Sequence, residues 1–241
     1  YIATGYHRLK STCKTTYQSS DSIVEKSVFA YDTERPYNII SKSSLCSGGA
    51  EQVERTYYSN NTIPDKEFLT TSQRSAIQLL TSRNYLTTPV QQTMEKKDKR
   101  LYSVLRGYSS SLSSGMVVED QYYCKGTDKY EKRISYNKYD IYGNPVYINK
   151  DGAEKVVYLW GYKGQYLLAE IKGATYEEVK KALMVDPASM SSCILPSMPL
   201  YLDMIDNLYK ALPSALITSY TYHPLIGISG IISPNKAKTT F

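Results

Sequence analysis

Polar and apolar positions alternate with period two along the N-terminal third of the chain. Residues 6–17 alternate long polar and smaller side chains, and over 23–31 one face carries Ile23, Glu25, Ser27, Phe29 and Tyr31. Ser19-Ser20-Asp21-Ser22 lies between the two runs as a turn cluster, so they predict a β hairpin. A second hairpin is predicted over 37–45 and 52–58. Its connection contains Ser47-Gly48-Gly49, where a glycine pair accepts the backbone of a tight turn. The rhythm then changes. After Asn60-Asn61 and Pro64-Asp65, the apolar residues Phe68, Ala76, Ile77, Leu79 and Leu80 fall at helical spacing and predict a helix over 66–82, with Asp65 as its cap.

Strand patterning resumes at 90–95 and 101–108, on either side of a charged tip at Lys97-Asp98. It continues at 116–124 and 130–139, on either side of Lys125-Gly126-Thr127-Asp128. Three short runs over 146–148, 156–160 and 166–171 predict a meander closed by two-residue turns at Asp151-Gly152 and Lys163-Gly164. The middle run is apolar on both faces, as a doubly covered strand would be. Thr175-x-x-Glu178 is a capping box, followed by the helical stripe Tyr176, Val179, Ala182 and Leu183. A second stripe, Leu202, Ile205, Leu208, Tyr209 and Leu212, is preceded by a loop with Pro187 and Pro196, opened by Pro199 and stopped by Pro213. Strands are predicted again over 215–222, 225–232 and 238–241. The fold class is therefore mainly β, with antiparallel hairpins and a meander on which two or three helices pack. It reads as a single domain over 1–241, with helical insertions near 66–82 and 175–212.

Composition narrows the function more than the fold. The 241 residues are 41% hydrophobic and 22% charged, which is globular rather than disordered. No apolar run approaches the roughly 18 residues of a membrane span, so no direct span is expected. The net charge of +6 is scattered. Its densest cluster, Lys96, Lys97, Lys99 and Arg100, is interrupted by Asp98 and reads as a solvated hairpin tip. With no nucleic-acid-binding signature elsewhere, no nucleic acid partner is expected.

Cys13, Cys46, Cys124 and Cys193 form no close pair, so neither a zinc nor a redox site is indicated, and spacing selects no disulfide. The two histidines are His7 and His223, and His223 reads as a strand-end residue. Nucleophile-elbow, zinc-protease, phosphate-loop and dinucleotide motifs are missing. Glu177-Glu178 opens a helix and Asp203 and Asp206 occupy the polar side of another, which explains both acidic pairs without acid–base chemistry. The expectation is a non-enzyme with no catalytic, cofactor-binding or metal-binding residues. The outlying number is 25 tyrosines against 3 phenylalanines and 1 tryptophan. Tyrosine is a strand former whose ring packs while its hydroxyl stays wet, which suits a half-wet sheet.

One stretch carries a family resemblance. Tyr139-Asp140-x-x-Gly143-Asn144-Pro145, followed by a strand, Asp151-Gly152 and another strand, resembles the RHS/YD repeat. Tyr158-Leu159-Trp160-Gly161-Tyr162, Ala169-Glu170-Ile171 and Ala174-Thr175-Tyr176 are similar to that family too. So is the stretch from Tyr220 through Tyr222, His223 and Pro224 to Gly227, with Ser233-Pro234 and Thr239-Thr240-Phe241. The opening Tyr6-His7-Arg8-Leu9 and Ser82-Arg83-Asn84 with Thr88-Pro89-Val90 also fit. Tyr31-Asp32 departs from the pattern, with Glu34-Arg35-Pro36 where the glycine would stand, and Asn235-Lys236 replaces a glycine after Pro234.

The motif residues Tyr139, Asp140, Gly143, Asn144, Trp160, Tyr220, Tyr222 and Gly227 are expected to be structural. Asp140 would bond turn amides and Gly143 would supply an unusual φ. The resemblance implies hairpins stacked into an extended, curled sheet, in a bacterial secreted, cell-surface or outer-membrane-associated protein. The chain begins at Tyr1 on strand-like sequence, so a fragment of a longer protein is expected, its targeting segment elsewhere. The implied partners are other segments of the same long repeat protein, with carbohydrate or a surface protein as further candidates. Two functions follow as expectations: a structural or interaction segment without chemistry of its own, or a carbohydrate-binding module that uses exposed tyrosines.

Overall fold

The computed structural model describes residues 7–19, 21–45, 49–111, 115–192, 198–223 and 225–241. Tyr6, Ser20, Cys46, Ser47-Gly48, Cys193, Pro196 and Pro224, singled out in the sequence, lie outside the described residues, as do the side chains of Pro199 and Leu202. The strands are β1 (Ser11–Gln18), β2 (Asp21–Tyr31), β3 (Ile39–Leu45), β4 (Glu51–Tyr58), β5 (Pro89–Lys96), β6 (Lys99–Ser111), β7 (Gly115–Lys125), β8 (Glu131–Tyr139), β9 (Pro145–Lys150), β10 (Glu154–Gly161), β11 (Tyr166–Lys172), β12 (Leu216–His223), β13 (Gly227–Ile232) and β14 (Lys238–Thr240). The helices are α1 (Thr71–Ser82), α2 (Tyr176–Leu183) and α3 (Met198–Ala211), with 3-10 turns at Lys66–Phe68 and Pro187–Ser192. Strands hydrogen-bond in chain order from β1 to β14, and the fold is mainly antiparallel β with helices, as expected. Among the described residues no helix is long and apolar enough to cross a membrane.

Contacts divide the chain into two compact units: Tyr1–Gly107 with Gln121–Glu131, and Tyr108–Asp120 with Lys132–Phe241. In the first unit β5 and β6 close through Lys97-Asp98. Lys96 pairs with Lys99, and both turn residues are left-handed at φ 50° and 58°, which matches the strand twist of a two-residue hairpin. The helix expected over 66–82 is two elements. Leu69 is extended (ψ 146°) and separates the 3-10 turn from α1.

The cap is also corrected. Asp65 makes no cap bond, whereas Thr70 and Gln73 form a capping box in which the Thr70 hydroxyl accepts from Gln73 N at 3.2 Å and Thr70 N donates to Gln73 Oε1 at 3.1 Å. The buried face of α1 is Gln73, Ala76, Ile77 and Leu80, a helical i, i+3, i+4, i+7 set, while Phe68 and Leu79 stay exposed. Gln73 rests against Gly107 of β6, where a side chain would collide with its amide.

In the second unit the strand apolar on both faces, β10, contributes the fully buried Val156, Val157 and Leu159. The core continues through Ile171 and Ile217 to Val179 of α2 and Ile205 and Leu208 of α3. The Thr175–Glu178 capping box forms as the sequence implies. The meander turns are longer than two residues. Lys150 pairs with Glu154 across three residues, and Gly161 pairs with Tyr166 across four, because Ala153 follows the left-handed Asp151-Gly152 pair and Tyr162 joins Lys163 and Gly164 in left-handed backbone.

Candidate functional site

The Tyr139-Asp140 motif ends β8 and builds the connection to β9. Asp140 is 1% exposed. Its Oδ1 accepts from Tyr142 N at 2.9 Å and Asn144 N at 2.8 Å, and its Oδ2 accepts from Asn144 Nδ2 at 3.1 Å. Gly143 holds φ 86°, which an L-residue with a Cβ adopts only under strain. Asn144 Nδ2 also donates to Gly164 O at 2.8 Å and ties this connection to the one between β10 and β11. Trp160 Nε1 donates to Pro145 O at 2.8 Å, just past the turn, from a half-buried ring.

Tyr222 joins the same end of the second unit. Its ring centroid lies 4.6 Å from that of Tyr166 and 6.5 Å from that of Tyr162. Gly227 opens β13 opposite His223, and Tyr220 is half-buried in β12 opposite Ile231. The structure thus gathers Asp140, Gly143, Asn144, Trp160 and Tyr222 around adjoining connections.

The divergent Tyr31-Asp32 pair performs the same task without a glycine. Asp32 Oδ1 accepts from Glu34 N at 2.8 Å and Arg35 N at 2.9 Å, and Oδ2 accepts from Asn61 Nδ2 at 3.1 Å. The amide of Arg35 and the side chain of Asn61 hold its carboxyl below the ordinary range against the opposing effect of burial. The amides of Asp32 and Asp140 each donate to a downstream asparagine carbonyl, Asn38 at 2.9 Å and Asn144 at 3.0 Å. Each asparagine then sends its side-chain amide to another connection, Asn38 to Leu86 O at 2.9 Å.

The tyrosine hydroxyls follow a rule. Those at the ends of β4, β8 and β12 donate to a backbone carbonyl on the preceding strand, Tyr58 to Ile39 (3.0 Å), Tyr139 to Val118 (2.5 Å) and Tyr222 to Leu167 (2.8 Å), and Tyr31 at the end of β2 donates to Leu9 (3.0 Å), just ahead of β1. Burial pushes the Tyr58, Tyr139 and Tyr222 phenols above their usual value. Of the exposed tyrosines among the described residues, Tyr17 lies in β1 and Tyr37, Tyr85 and Tyr142 lie in connections. The face-to-face pairs Tyr102–Tyr123 and Tyr136–Tyr139 are half-buried.

A cleft of about 430 Å³ in the first unit is not foreseen from sequence. Asp65 Oδ2 accepts from Gln91 Nε2, lies 2.8 Å from the Tyr130 hydroxyl and 3.0 Å from Arg100 NH1. The Tyr130 hydroxyl is also 2.6 Å from Ser103 Oγ, and burial raises its pKa. Glu95, Asp98 and Asp128 surround this network, with Phe68 as an aromatic wall 4.9 Å from Tyr130. Three donors converge on one Asp65 oxygen, so the carboxylate anchors the 3-10 turn to β5 and β6. The available signal was polar Gln91, Thr93 and Ser103 at inward-facing strand positions.

A polar recess of about 490 Å³ adjoins the Asp32 loop, with Glu34, Arg55, Tyr57, Asn60 and Asn61 among its lining. Glu177, Glu178, Asp203, Asp206, His7 and His223 are all exposed. Cys13 and Cys124 are free thiols, one exposed and one buried. Among the described residues no group of three His, Cys, Asp or Glu side chains is placed to hold a metal ion. No family model matches the chain, and no curated protein matches it.

Proposed function

We propose that this chain is a structural and interaction segment of a secreted or cell-surface repeat protein, without catalysis of its own. One observation carries the reading: tyrosine hydroxyls and Tyr-Asp carboxylates are consumed by backbone groups at recurring strand ends. Chemistry that could have faced a ligand is spent on joining strands. The partners this reading names are further segments of the same long protein, taken up at the outer edge of β1, whose Ser11–Tyr17 are all exposed. Hydrogen exchange on the purified chain tests it. Flanking gene segments supplied in trans should slow exchange of the outward-facing β1 amides, and unchanged exchange there would count against the proposal.

Carbohydrate binding is the second reading, and the recess beside Asp32 favours it over a platform of exposed rings. Carboxylate, guanidinium, amide and hydroxyl groups surround one half-buried phenol, Tyr57, in a volume of about 490 Å³. A glycan array with Tyr57→Ala and Arg55→Ala as controls distinguishes the readings. Binding lost in both variants would install the sugar site, and an empty array would remove it.

A further inference from the structure

Antiparallel order places the β8–β9, β10–β11 and β12–β13 connections at one end of the second unit. Direct contacts link them in sequence: Asn144 Nδ2 to Gly164 O at 2.8 Å, and Tyr222 to Tyr166 and Tyr162 through their rings. Lone exposed aliphatic side chains are ordinary, but this end collects several. Leu225 is 99% exposed and Ile226 87%, and Ile141 at 54% and Tyr142 at 46% stand on the β8–β9 connection, with the β10–β11 connection between the two pairs.

Leu225 holds φ 67°, a left-handed backbone that costs a leucine energy, so its presentation is not the relaxed default of the turn. Behind the aliphatic tip stands the half-buried tyrosine cluster, and beside it the exposed Lys163. The one carboxylate within these connections, Asp140, is buried in its own turn.

We propose that this end of the second unit is a membrane-interface contact that seats Leu225 and Ile226 at the headgroup–acyl boundary of an anionic bilayer. The layering matches what such a boundary selects. Aliphatic side chains lead, amphipathic phenols sit at headgroup level, and a cation faces lipid phosphate with no exposed acid in the connections to oppose it. Separate hairpin tips suit a fluid surface, whereas a protein partner of fixed shape would be met by a recess or a flat patch.

Vesicle co-sedimentation tests this on the full chain, with phosphatidylcholine alone and mixed with phosphatidylglycerol. The wild type should sediment with the mixed vesicles. Leu225→Asn with Ile226→Ser should reduce binding about tenfold or more, and Lys163→Gln about fivefold. Asn accepts the left-handed backbone, so the double variant should keep its circular dichroism and melting temperature. Failure of the wild type to bind mixed vesicles, or binding unaffected by the double variant, would overturn the proposal. So would a concentration-dependent dimer that the double variant abolishes, with no vesicle binding, since a second copy would then be the occupant.

Discussion

Gly107→Ala isolates how α1 is seated on the sheet. A Cβ at this position would lie 2.4 Å from Gln73 Cδ, 2.5 Å from Nε2 and 2.7 Å from Oε1. Gln73 has little freedom to yield, being 1% exposed, with Oε1 accepting from Thr70 N at 3.1 Å and from the Tyr122 hydroxyl at 3.3 Å. Its withdrawal would break half of the capping box, about 0.5–1 kcal/mol, and strip a buried hydroxyl of its acceptor, about 1–3 kcal/mol. Replacing a strand glycine returns about 0.4–1 kcal/mol through the unfolded chain. The expected net loss is about 1–3 kcal/mol, read from urea denaturation. In a Gln73→Ala background the collision disappears, and Gly107→Ala should then cost under about 0.5 kcal/mol; the double-mutant cycle reports the difference. Equal costs in both backgrounds would refute the Gln73–Gly107 packing as the cause.

Gly143→Val should lower stability by about 1–2 kcal/mol from backbone strain alone, because no atom lies within 4 Å of the added Cβ, and Gly143→Asn should cost less; thermal melts of the two variants compare them. Trp160→Phe should cost about 1 kcal/mol for the lost bond to Pro145 O, and Trp160→Ala about 3 kcal/mol because the ring is half-buried, both read by denaturant titration. Burial raises the Tyr130, Tyr139 and Tyr176 phenols and lifts Tyr158 to about 12. These groups favour the folded state fully below about pH 10 and lose that contribution as pH rises through their folded values. Phenolate absorbance should therefore show a late fraction that ionises with loss of circular dichroism. Every tyrosine ionising together near pH 10 in an intact fold would contradict it.

Local order was legible in the sequence because it is set by neighbours in the chain. Alternation over residues 23–31 and the Lys97-Asp98 tip correspond to strands and a turn in the structure, and Thr175 caps α2 through a glutamate three residues on. Asp65 was misread because its role is set by Gln91, Arg100 and Tyr130, which lie far along the chain; Thr70-x-x-Gln73 held the better local cap. Tyr31-Asp32 departs from the repeat pattern in sequence because it lacks the glycine. The carboxylate, the downstream asparagine and the strand-end hydroxyl perform the closure there. The tyrosine excess was visible at once, but its reason is a carbonyl on the adjacent strand, which no spacing along the chain records.

Three residues stand between Asp140 and its asparagine and five between Asp32 and the equivalent one, yet both pairs lock. The aspartate and asparagine act as two ends of a clasp, and the spare length lies between the amides that the aspartate holds and the asparagine. Insertions should be tolerated in that stretch and resented at either end of the clasp. A loop carrying a tag or a foreign epitope is best grafted between Pro36 and Tyr37, beyond the Glu34 and Arg35 amides that Asp32 holds.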